Sequence, residues 1–143
     1  MNKQLAKQMF MQGYSCSQAV ACAFAEECGM TVDQLKKAAI AFGGGFVHQH
    51  SLCGALTGGA LVAGIIKGGT EPNSKMHFAQ TFEWVVDDFV KKHGSLFCSV
   101  FATTQNNFLN NRFPHTFICN FDIARNRNNT VFKVAVSAIS HFF

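Results

Sequence analysis

The 143-residue chain is 48% hydrophobic and 14% charged, with a formal net charge of +4. This length fits one domain with a core large enough to fold without disulfides, and the composition excludes disorder. Residues 1–99 carry eight Lys against seven acids, with no basic run interleaved with aromatics, so no nucleic-acid partner is expected.

The first 15 residues, MNKQLAKQMFMQGYS, are amphipathic and lack the apolar stretch of a secretory signal. A cytoplasmic, reducing compartment is therefore expected. There the six Cys serve more often as ligands, catalysts or core residues than as structural disulfides. Sixteen Phe against one Trp and one Tyr predict a dry aromatic core.

In chain order, residues 2–12 read as an amphipathic helix with Leu5, Met9 and Phe10 on one side, ended by Gly13. Ser15 and Gln18 have the spacing of a capping box, and the helix they open is expected to reach about Cys28, with Gly29 as its stop. Thr31 and Gln34 repeat the device before a helix expected to run to Gly43.

Residues 43–64, GGGFVHQHSLCGALTGGALVAG, organise the centre of the chain. Three glycines break a helix, a His-containing loop follows, and Cys53 opens a small-residue helix over 52–67. Glycine in a helix interior costs about 1 kcal/mol against alanine. Gly54, Gly58, Gly59 and Gly64 thus need a reason, such as close approach of another backbone. Gly54 and Gly58 form a GxxxG pair that suits tight packing, within the chain or in a homodimer. The apolar run Leu52–Ile66 is shorter than the roughly 20 residues of a membrane span, so none is expected.

The longest helix is expected over 74–92, with Phe78, Phe82, Val85, Val86 and Phe89 on one face and Asp87, Asp88, Lys91 and Lys92 toward water. Gly94 ends it, and Ser95 is expected to cap a short element holding Cys98. These elements predict an all-α single domain, a bundle of about five to six helices. Residues 1–99 form its cysteine-bearing core, and 100–143 an atypical segment of the same domain. That segment holds all three Arg, eight Asn, eight Phe and one acid, Asp122. Its stretch TVFKVAVSAIS fits a strand or a helix equally.

Cys16, Cys22 and Cys28 are six apart, and six residues turn a helix by about 600°, so each points ~120° from the last. They cannot share one metal. Cys16, just after Ser15, is the candidate among them, while Cys22 and Cys28 read as small core hydrophobes. Cys53 and Cys98 also fall at expected helix starts, each shortly after a serine. There the positive end of the helix dipole favours a thiolate. Cys119 is the remaining member of a possible set of four. No CxxC, CxxCH, GxGxxG or P-loop lysine motif occurs. His48 and His50 flank Cys53 and carry metal-type donors, but their spacing is no recognised ligand spacing, and they read as a solvated loop.

GYSCSQAV, AFGGGF, CGALTGG and KKHGSLFC, in that order over roughly residues 8–98, resemble the C_GCAxxG_C_C family, named for its cysteine signature. The resemblance makes Cys16 the first hallmark cysteine, Cys53 of Cys53-Gly54-Ala55-Leu56-Thr57-Gly58 the second and Cys98 the third. Cys119 lies at about the distance of the fourth, in different surroundings. The FVHQH loop departs from the family's usual glycine- and basic-containing loop. The resemblance implies an all-helical, cytoplasmic protein with a redox role.

Two mechanisms fit these residues. Cys16, Cys53, Cys98 and Cys119 converge as metal ligands for an iron–sulfur cluster and transfer electrons, or Cys16 and Cys53 form a reversible redox disulfide with no cofactor. The expected partner is a redox protein of unknown identity. The contrasting expectation is a non-enzymatic module with zinc on the same cysteines. The plain alternative is a helical bundle whose cysteines only fill the core.

Overall fold

The computed structural model describes residues 2–103. Within them the chain is all-α, with a single isolated antiparallel bridge between Leu52 and Phe97. Cys119 and TVFKVAVSAIS lie outside the described residues. Six helices follow in order: α1 (Asn2–Met11), α2 (Cys16–Cys22), α3 (Val32–Ala39), α4 (Gly54–Lys67), α5 (Ser74–His93) and α6 (Cys98–Thr103).

The core is built around α2. All seven of its residues, CSQAVAC, are buried, and it packs on α1, α3 and, most extensively, α4. Its start is fixed locally. The Gln18 amide donates to the Ser15 hydroxyl (3.3 Å) while the Ser15 amide donates to Gln18 Oε1 (3.1 Å), which satisfies two of the amides a helix start leaves free. The matching box at Thr31 and Gln34 opens α3.

The α-helix is shorter than the expected run to Cys28. After Cys22 the chain tightens into turns in which Ala23, Phe24 and Ala25 donate to the carbonyls three residues back. The tighter winding brings Ala23 and Phe24 into the core and leaves Glu26 and Glu27 in water, a division that one continuous α-helical face does not make. Gly29, at φ +60, closes the segment. In the same way α3 stops at Ala39, and Ile40–Phe42 form a 3₁₀ turn before Gly43.

Two buried polar residues of α2 explain how it grips α3. The Ser17 hydroxyl donates to the Ala39 carbonyl at 2.8 Å, and Gln18 Nε2 donates to the Lys36 carbonyl at 3.0 Å. The last carbonyls of α3 have no partner in their own helix, and α2 supplies the donors. On its other side α2 meets the glycines of α4. A Cβ on Gly54 would lie 3.2 Å from Cys16 Cβ, and one on Gly58 would lie 2.6 Å from the Ser17 carbonyl oxygen. The GxxxG face is therefore occupied inside the chain.

Helix α5 follows its expected pattern, with Phe82, Val85 and Phe89 buried and Asp87, Lys91 and Lys92 exposed. Gly94, at φ +76, ends it. No helix among the described residues is long and apolar enough to cross a membrane.

Candidate functional site

Cys16 is the first residue of α2 and Cys53 caps the start of α4. Because Gly54 lets α4 approach α2 closely, the two cysteines become neighbours, each only 3% exposed. Burial pushes the Cys16 thiol far above its ordinary value of 9.0, and a charge on Cys53 would push it further. Each thiol thus lies within electrostatic reach of the other.

The expectation of thiolates at these helix starts is corrected by burial. The Cys53 thiol is also raised, mainly by desolvation. The amides of Ala55 and Leu56 oppose that shift, without closing a capping hydrogen bond to the sulfur. A buried thiolate loses more hydration than two amides return. At neutral pH both groups are therefore thiols in the closed fold.

Cys98 is the first residue of α6 and is also 3% exposed. It is disulfide-bonded. Its amide donates to the Ser51 carbonyl at 2.6 Å, and the Cys53 amide donates to the Leu96 carbonyl at 2.8 Å. The segments 50–53 and 96–99 are thus held side by side. Ser95 does not cap α6 itself; its hydroxyl accepts from the Phe97 amide.

Cys22 is a core residue, 1% exposed, whose thiol makes a weak contact to the Val32 carbonyl at 3.6 Å. Cys28 is half-buried. Both match their reading as packing residues.

The segment between Gly43 and Cys53 is largely exposed, as expected of FVHQH, but its backbone is an ordered turn. Gly44, Gly45, Phe46, Val47 and His48 run consecutively at positive φ, and His50 joins them. Left-handed backbone costs a residue with a Cβ about 1–2 kcal/mol. The four such residues here store roughly 4–8 kcal/mol by that figure. The turn is tied by its own backbone: Val47 donates to Ala41, His48 to Gly43, His50 to Gly44 and Ser51 to Gly45. His48 and His50 are half-buried, not free in water. His48 Nδ1 is buried against Gly44 with no hydrogen-bond partner among the described residues.

The turn touches both ends of the cysteine site. A Cβ on Gly43 would lie 2.5 Å from Ser15 Cβ, beside Cys16, and one on Gly45 would lie 2.6 Å from Cys98 Cβ. The GGG run flagged this place in the sequence. The left-handed conformation of Phe46, Val47 and His48 left no sequence signal, because phenylalanine and valine are among the residues least suited to it.

Among the described residues no group of three or more His, Cys, Asp or Glu is placed to hold a metal ion. Cys16 and Cys53 supply two sulfurs to one place, Cys98 is in a disulfide, and Cys119 lies outside the described residues. The two thiols that meet among the described residues suit a dithiol.

No curated protein and no solved structure matches the chain. A family model described as "Putative redox-active protein (C_GCAxxG_C_C)" matches residues 14–124. That match takes in α2, the glycine-rich turn, the start of α4 and Cys98. The chain belongs to the C_GCAxxG_C_C family.

Proposed function

We propose that the protein is a thiol–disulfide redox protein whose reacting pair is Cys16 and Cys53. One observation carries this reading: two buried cysteines from separate helices, neither in a disulfide, meet where α2 and α4 start, close enough for their charges to interact. The family's redox description agrees with it.

In the reductive direction the Cys53 sulfur, as thiolate, attacks one sulfur of a partner's disulfide. A Cys53–partner disulfide forms and the partner's other sulfur leaves as thiolate. The Cys16 thiolate then attacks Cys53 Sγ, closing the Cys16–Cys53 disulfide and releasing the partner's first sulfur. Two electrons pass to the partner, and the two protons lost by Cys16 and Cys53 end on its thiols. Cys53 is the better attacking group because the Ala55 and Leu56 amides favour its thiolate.

The test is a thiol count and peptide map of the full chain, purified without oxygen and then treated with a small disulfide oxidant. The reading expects two thiols to disappear together and a Cys16–Cys53 linked peptide to appear. Iron or zinc bound in proportion to the chain, lost on changing Cys16 or Cys53 to Ser, would replace it with the metal mechanism. Unchanged thiol counts without metal would leave the cysteines as core residues.

A further inference from the structure

We propose that residues 44–50 are a strained latch over the cysteine site, one that opens locally and admits a reactant to Cys53 while the helical core stays folded. The inference rests on reading Cys16 and Cys53 as the reacting pair, and concerns how that pair is reached. Both thiols are almost fully buried, so a reacting sulfur needs a way in.

The latch occupies the right place. Gly43, which leads into it, lies against Ser15, the neighbour of Cys16, and Gly45 within it lies against Cys98. Its far end, at His50 and Ser51, accepts from the amides of Ser99 and Cys98. Cys53 follows two residues later. A movement of 44–51 therefore loosens the segment that leads directly into Cys53.

It is also built to move. Phe46, Val47, His48 and His50 are held in left-handed backbone, which relaxes on release. Phe46 and Val47 are 54% and 55% exposed, so opening gives up little packing. Among the described residues it is tied by backbone hydrogen bonds of its own, which water replaces. The helices beneath are held by independent contacts: Ser17 to Ala39, Gln18 to Lys36, and α2 on α4. Segments of this kind open with a free energy well below that of the whole fold.

The experiment uses the full chain with Cys16 and Cys53 as thiols. Iodoacetamide labelling of Cys53 is compared with that of Cys22, which lies in the core and reports global opening. The latch expects Cys53 to label at least about tenfold faster than Cys22. Val47→Asn puts a residue that tolerates left-handed backbone at an exposed position, so it stabilises the closed latch. Cys53 labelling then slows about fivefold or more, and Cys22 labelling, which starts from the same stabilised closed state, slows with it, so that the ratio of the two rates is kept. Gly45→Ala, whose methyl group meets Cys98, acts in the opposite sense and speeds it. Equal rates at Cys53 and Cys22 in the native chain overturn the latch, as does a Val47→Asn protein whose Cys53 labels at the native rate or faster. If Gly45→Ala fails to fold, Val47→Asn alone decides. Labelling does not depend on whether Cys16 and Cys53 form a disulfide, so a failed dithiol and a failed latch are told apart.

Discussion

A Cβ on Gly58 would lie 2.6 Å from the carbonyl oxygen of Ser17 and 2.9 Å from its Cα. These are backbone atoms, and no rotamer change moves them aside. The approach of α4 to α2, and with it the meeting of Cys53 and Cys16, depends on that missing side chain.

Gly58→Ala should therefore destabilise the protein by about 1–3 kcal/mol, because overpacking outweighs the helix-propensity gain of ~1 kcal/mol. A Cβ on Gly64, on the same helix, would meet nothing within 4 Å. Gly64→Ala should stabilise by about 0.5–1 kcal/mol. Urea unfolding of both variants checks the pair. If both shift the midpoint the same way, the close helix contact is wrong.

The fold was largely legible in the sequence. Ser15 with Gln18 and Thr31 with Gln34 mark two helix starts because a capping box is a local device, satisfied by residues three apart. Gly29 and Gly94 mark stops for an equally local reason. The end of α2 was not legible, since it depends on Ala23 and Phe24 being drawn into a core made by other helices. The same holds for the site. Cysteines at helix starts can be read from their neighbours. Their burial, which reverses the expected effect of the helix dipole on Cys16 and Cys53, is a property of the assembled fold. The roles of Ser17 and Gln18 were hidden likewise, because the Ala39 and Lys36 carbonyls they serve lie on another helix.

Ser17→Ala tests that inter-helix link. The change leaves the Ala39 carbonyl without its donor in a buried place, an asymmetry that costs about 1–3 kcal/mol. The buried hydroxyl of Ser17 also contacts the Ser15 hydroxyl at 3.0 Å, so the N-terminal turn carrying Cys16 should loosen too. Chemical denaturation measures the first effect, and hydrogen exchange at the amides of residues 16–19 the second. A loss below about 0.5 kcal/mol would show that the Ala39 carbonyl finds water instead.

Stability should also fall on the alkaline side. Burial raises the folded-state values of Cys16 and Cys53 above the ordinary 9.0. Below that value both states hold the thiol protons, and these groups make no difference. Above it the unfolded chain releases protons that the folded chain keeps, so unfolding becomes easier as pH rises. The slope approaches ~1.4 kcal/mol per pH unit for each such thiol until its folded-state value is reached. Unfolding midpoints from about pH 7 to about pH 10.5, a range that brackets the ordinary thiol value, measure this. Changing both cysteines to Ser should flatten the decline, and an undiminished slope would assign it to other groups.

The cysteines themselves separate chemistry from packing. Cys53→Ser and Cys16→Ser should each abolish the intrachain disulfide formed on oxidation, while leaving the other cysteine of the pair as a single thiol. Cys22→Ala should leave that disulfide intact, because its sulfur faces the Val32 carbonyl at 3.6 Å, at the opposite end of α2 from Cys16. Its effect should fall on stability, with a loss of about 1 kcal/mol for a small cavity. The comparison reads two quantities from three proteins: the yield of the linked Cys16–Cys53 peptide, and the urea midpoint. A Cys22→Ala protein that lost the linked peptide while keeping its stability would make Cys22 a participant in the exchange and end the assignment of the chemistry to Cys16 and Cys53 alone.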